Sequence, residues 1–105
     1  MIAHLLVMYP TPKDPVAFAR AYREEHLPYA GPRLKGATGV VSKSVASATG
    51  KPLYHAISDI SFPSLEVLQA CAVSQGGKEA LAHAASISSG GPPVILIVTD
   101  DLVAS

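Results

Sequence analysis

A chain of 105 residues with eight basic and eight acidic side chains is one domain, with no net field to steer it onto nucleic acid or an anionic membrane. Hydrophobic residues make up 49% and charged ones only 15%, and the mean hydropathy of +0.31 is high for so small a protein. The single cysteine, Cys71, excludes an intrachain disulfide, and with no basic n-region and no apolar run of transmembrane length the expected setting is cytoplasmic.

In chain order, residues 2–9 (IAHLLVMY) form an apolar run rich in strand formers and closed by PTP, which reads as a buried strand. Asp14 can cap a helix whose first position is Pro15. On that helix Phe18, Ala21, Tyr22 and His26 share one face, with Arg20, Arg23 and Glu24 on the other. Pro28 disfavours helical geometry at Leu27, so the helix is expected to stop there and GPRLKG to follow as a loop. Residues 39–47 read as a second strand and 53–60 as a third, with ATGKP turning between them. A second helix is expected from Pro63 and Ser64, burying Leu65, Leu68 and Ala72; Gly76-Gly77 should interrupt it before KEALAHAAS resumes. SSGGPP is a loop, 94–99 (VILIVT) a last strand, and DDLVAS a tail.

Strand, helix, strand, strand, helix, strand is the ferredoxin-like βαββαβ arrangement, an α+β fold with two helices on one face of a four-stranded antiparallel sheet. The first and last strands are apolar on both sides, and helices can cover only one. The other face should meet the same face of a second copy, giving a sheet-to-sheet homodimer.

No phosphate-binding glycine loop, paired cysteines or HExxH occurs, and no spacing within one element suggests a metal site. The candidates are histidines and their neighbours. His4 shares a strand face with Leu6 and Met8, and His55 with Leu53, Ile57 and Asp59; on adjacent central strands the two imidazoles are expected to approach one another, or to be satisfied by backbone or by Asp59. His26 suits a helix C-terminus as a cation, worth about 0.3–1 kcal/mol, yet its place in the inward row with Phe18 and Tyr22 favours a pocket. His83 fits surface or pocket equally, Cys71 reads as a small core residue, and Arg33, Lys35, Lys43 and Lys51 as loop and edge charges.

The opening MIAHLLVMYPTPKDPVAFARAYREEHLPYA resembles that of EthD-family proteins, named for ethyl tert-butyl ether degradation, in the apolar strand, the Pro-containing turn and then Phe18, Tyr22, His26 and Pro28. ISFPSLEVLQA resembles the family's start of the second helix and SSGGPPVILIV its glycine turn into the last strand. Where such chains often carry an aspartate, an asparagine and an aromatic ahead of that turn, this one has His83, Ser86 and Ile87, so a histidine would take the carboxylate's place. His4 and His55 also match positions used by plant polyketide cyclases of the wider dimeric α/β-barrel group.

The resemblance implies a small hydrophobic ligand, aromatic or carbonyl-bearing, and no resident cofactor, with His26 as general acid/base and Tyr22 as its hydrogen-bond partner. His4 and His55 would assist, and Phe18, Asp59, Met8, Tyr29 and His83 would contact the substrate. It leaves open an accessory protein of a monooxygenase system, or a haem enzyme with His26 or His83 as axial ligand.

Overall fold

The chain runs β1 (Ala3–Pro10), α1 (Pro15–Arg20), a π turn (Ala21–His26), α2 (Leu27–Ala30), a 3-10 turn (Gly31–Arg33), β2 (Gly39–Ser44), β3 (Tyr54–Phe62), α3 (Leu65–Val73), α4 (Gln75–Ser86) and β4 (Val94–Val98). This computed structural model describes residues 2–105. The sheet order is β2-β3-β1-β4, antiparallel throughout, which is the ferredoxin-like topology expected from the element order.

Strand alternation sorts the two faces. Ala3, Leu5, Val7 and Tyr9 of β1 are buried against the helices together with Ile60 and Phe62 of β3, Leu68 and Cys71 of α3, and Ala80 and Ala84 of α4. The other face carries no helix, and the slab measures only 37 × 36 × 18 Å, room for one helix layer on one sheet layer. By register that bare face holds His4, Leu6 and Met8 of β1, Ile57 and Asp59 of β3, Val41 of β2, and Leu96 and Val98 of β4.

Caps set the helices much as their sequences suggest. The Asp14 carboxylate accepts from the backbone N–H groups of Val16 and Ala17, with Pro15 at the position where no N–H is needed. Ser64 accepts from Val67 N–H to start α3, in which Leu68 and Cys71 are buried and Ala72 is only half-buried. The interruption between α3 and α4 falls at Ser74, in extended geometry, and not at the glycines. Ser74 donates to the Cys71 carbonyl and accepts from Gly77 N–H, so one side chain closes one helix and opens the next.

Gly76 and Gly77 instead form the first turn of α4 and let it press against other backbone. A Cβ on Gly77 would overlap the Cys71 carbonyl, and one on Gly76 the Arg33 carbonyl. Gly77→Ala would gain up to about 1 kcal/mol of helix propensity, but forcing the helices apart costs about 1–3 kcal/mol. The overlap involves backbone that cannot swing aside, so the variant is expected to be less stable in urea denaturation; a raised midpoint would contradict this packing.

Pro28 does not stop the first helix. The chain stays helical through Ala30 and turns once more at Gly31–Arg33, which covers the start of the expected GPRLKG loop. A proline inside a regular helix lacks an N–H and collides with the carbonyl four residues back. Here Leu27 N–H bonds to Tyr22 O, five residues back, and this wider turn just before Pro28 reshapes the backbone where that collision would occur. It also alters the phase. In a regular helix a row spaced by four drifts by roughly 40° per step, whereas the wide turn takes up that excess and keeps Phe18, His26, Ala30 and Leu34 all buried.

Candidate functional site

Beneath that helical stretch, between the covered sheet face and α2 and α4, lies a cavity of about 250 Å³. Its walls are apolar, including Val7, Ile60, Leu27, Leu34, Leu81 and Ala84, and its polar points are His26 and Ser58. His26 is only 7% exposed. A second, more open cavity of about 330 Å³ lies beyond Tyr22, bordered by Phe18, Leu27, Ser42 and His55.

Aromatic packing fixes the histidine. Tyr9 rises from β1 to meet the Phe18 ring at 5.1 Å and the Tyr22 ring at 5.8 Å, both edge-on. Phe18 stacks on Tyr22 at 5.9 Å, and Tyr22 lies 5.7 Å from the His26 ring. The Tyr22 hydroxyl sits 2.6 Å from Ser58 Oγ and 2.5 Å from Ser42 Oγ, so it can donate to one and accept from the other; its partners are these serines and not His26. His26 has the Tyr9 hydroxyl 3.5 Å from Nε2 and, on its other side, His83 Nδ1 at 2.9 Å from Nδ1. His83 is held in turn by stacking on Tyr29 at 4.6 Å, and the Arg33 guanidinium covers the Tyr29 ring at 3.6 Å. Arg33, read as a loop charge, thus belongs to this column, with its Nε 3.4 Å from Glu79 Oε1 but off the line of a hydrogen bond.

Burial decides the charge state. It pushes the His26 pKa down from an ordinary 6.5 to about 4, with nearby His83 a smaller cause in the same direction. Burial also raises the Tyr9 phenol, helped by Tyr22 and opposed by a hydrogen bond with Ser58. Near pH 7 both groups are neutral. Folding withholds from His26 a proton that the unfolded chain takes up, so its stabilising effect is full above pH 6.5 and is lost as pH falls to about 4. At roughly 1.4 kcal/mol per pH unit, that window is worth about 3 kcal/mol. Urea midpoints measured from pH 7 to pH 4 should fall more steeply for the wild type than for His26→Gln; parallel profiles would contradict a buried neutral imidazole.

The other expected site residues separate. His4 and His55 do not approach one another: His4 pairs with Ser61 near one end of β3, while His55 lies at the other. His55 is also not on the face of Asp59. Tyr9 opposes Ala56 and Pro10 opposes Tyr54, which leaves His55 as the extra residue of a bulge. A bulge re-aims a side chain, and His55 meets Phe18 edge-on at 5.9 Å on the helix side. His4 is on the bare face, its Nδ1 2.7 Å from Asp59 Oδ1, the satisfied pairing that was one expectation for it. Met8 shares that face by register, so His4, Asp59 and Met8 are away from the His26 cavity. Tyr9 and Ser58 were missed, although Tyr9 is the one residue with a polar tip on the inward row of β1 and a buried phenol needs a partner. Among the described residues no group of three or more His, Cys, Asp or Glu side chains is placed to hold a metal ion.

No family model matches the sequence, and no curated protein matches it. Solved structures do. A protein of the ethyl tert-butyl ether degradation (EthD) family from Bacillus halodurans C-125 superposes with a TM-score of 0.83 at 20% identity, over 96% of this chain and 100% of that one. The chain has the fold of an EthD protein. An EthD-like protein from Ralstonia eutropha JMP134 matches at a TM-score of 0.68 and 21% identity, over 92% of this chain and 89% of that one. A dimeric ferredoxin-like protein of unknown function from Jannaschia sp. CCS1 matches at 0.68 and 19%, over 95% and 100%. The EthD resemblance read from Phe18, Tyr22, His26 and Pro28 thus agrees with the fold, and in this EthD-like frame those residues lie on the helix that roofs the cavity.

Proposed function

We propose that the protein is an enzyme that moves a proton on a small, mostly apolar substrate held in the cavity beside His26. The observation that carries this is a buried, neutral imidazole at the wall of an otherwise apolar chamber. An engineered cavity of about 150 Å³ holds benzene, so 250 Å³ suits a single substituted ring or a carbonyl compound of similar size. His26, at the cavity wall, is the acid/base through Nε2, the ring nitrogen not turned to His83, with the Tyr9 hydroxyl beside it and Ser58 able to hold a substrate oxygen. Tyr22 braces Ser58.

A second reading is a binding or accessory protein, such as the monooxygenase partner that the EthD resemblance implies. The low pKa of His26 favours it, because a weak base is a good neutral hydrogen-bond partner and a slow proton acceptor. Screening monocyclic phenols and carbonyl compounds for both turnover and thermal stabilisation separates the two: turnover lost in His26→Ala supports the enzyme, and tight binding without turnover supports the accessory role. The haem reading fits poorly, since the chamber beside His26 has room for about one small ring and not for a macrocycle.

The proposal includes a homodimer closed through the bare sheet face. Leu96 and Val98 there are 46% and 43% exposed and Val41 55%, an apolar surface that favours burial, and the Jannaschia neighbour is itself dimeric. The His4–Asp59 pair would then lie within the interface.

A further inference from the structure

We infer that His83 is the relay through which His26 exchanges protons with solvent. This role rests on the acid/base reading of His26 and adds to it the route by which the proton leaves.

The geometry of the pair is that of a proton-conducting contact. The ring centroids are 5.1 Å apart and the planes differ by 11°, while the two Nδ1 atoms are 2.9 Å apart. Rings so far apart with nitrogens so close lie edge to edge in nearly one plane, where both the N–H and the accepting lone pair point. One Nδ1 of the two carries the proton, since two bare nitrogens would repel and two protonated ones would clash. His26 itself is sealed in, and its neighbour at Nε2, the fully buried Tyr9, is a long contact at 3.5 Å. His83 is only half-buried, and its Nε2 has no protein partner among the described residues yet is not a buried unsatisfied atom, so water reaches it. The Tyr29 ring fixes the plane in which Nδ1 aims at His26, and Arg33 lies on Tyr29 rather than on His83.

The step balances without an oxidant or reductant. Initially His26 is protonated on Nδ1 and His83 on Nε2. His26 Nε2 takes a proton from the substrate, the Nδ1 proton of His26 passes to His83 Nδ1, and the Nε2 proton of His83 goes to water. The pair is left in the opposite tautomer. Returning a proton from His26 Nε2 to a different atom of the substrate, with the reverse hop refilling it, restores the start. The relay therefore suits a redox-neutral reaction that removes one proton and returns one, such as an isomerisation.

Exchange of the His26 ring proton with water, followed by NMR on ¹⁵N-histidine-labelled protein at pH 7, reads this without any substrate. His83→Phe keeps a ring against Tyr29 but has no nitrogen, and should slow the exchange by about tenfold or more, as expected when a positioned proton-transfer group is lost. His83→Ala should show exchange that accelerates with dissolved imidazole, which takes the vacated place; this arm decides the matter even if the Phe variant does not fold. Wild-type exchange in a folded His83→Phe, or exchange in His83→Ala indifferent to imidazole, would overturn the relay. Slow exchange in a protein that turns over nothing would keep the relay and remove the enzyme; turnover undiminished in His83→Phe would do the reverse.

Discussion

His26→Ala should lower kcat/KM on any substrate that occupies the chamber by about 10²–10⁴-fold, the range that general acid/base groups contribute. The loss should fall on kcat more than on KM, because the apolar walls that bind the substrate stay in place while the group that moves the proton does not. His26→Gln, closer in volume and still able to hydrogen-bond, should be as inactive while keeping a cooperative urea transition, which separates lost chemistry from lost structure. Steady-state kinetics in which either variant matches the wild type would remove His26 from the reaction.

Leu96→Asp should turn the dimer into a monomer. Leu96 lies opposite Leu6 on the bare face and is 46% exposed in the single chain, so a folded monomer tolerates the carboxylate. In a two-fold interface each copy would bury an unpaired charge, twice over. A cost of about 3 kcal/mol or more raises Kd by over ~100-fold. Sedimentation at micromolar concentration should then find a species near the 10.9 kDa of one chain where the wild type gives twice that mass. An unchanged mass would place any dimer contact elsewhere.

Much of this was legible from residue pattern. Alternation in β1 and the cap residues Asp14 and Ser64 gave element order and faces, since both act over a few residues. Boundaries of the strands moved by one to three residues, as when β2 ended at Ser44 and β3 reached Phe62. Three features escaped for physical reasons. Proline rules assume a regular helix, and nothing in YREEHLP says that the hydrogen bond before Pro28 spans five residues instead of four. A strand that looks evenly alternating hides a bulge, which reversed His55. His26 and His83 are 57 residues apart in sequence, and only the packing of α4 beside α2 makes them partners. Tyr22 was rightly placed beside His26 on one row, but its hydroxyl turned to Ser42 and Ser58 because those side chains face it from the sheet.

The most direct measurement is a phenol titration of ¹⁵N-labelled protein followed by NMR. Saturable shifts should appear at His26, Ser58, Ile60 and Ala84 around the chamber, with Val41 and Leu96 on the bare sheet face unmoved. Shifts that never saturate, or that saturate only on the bare face, would contradict a ligand chamber beside His26.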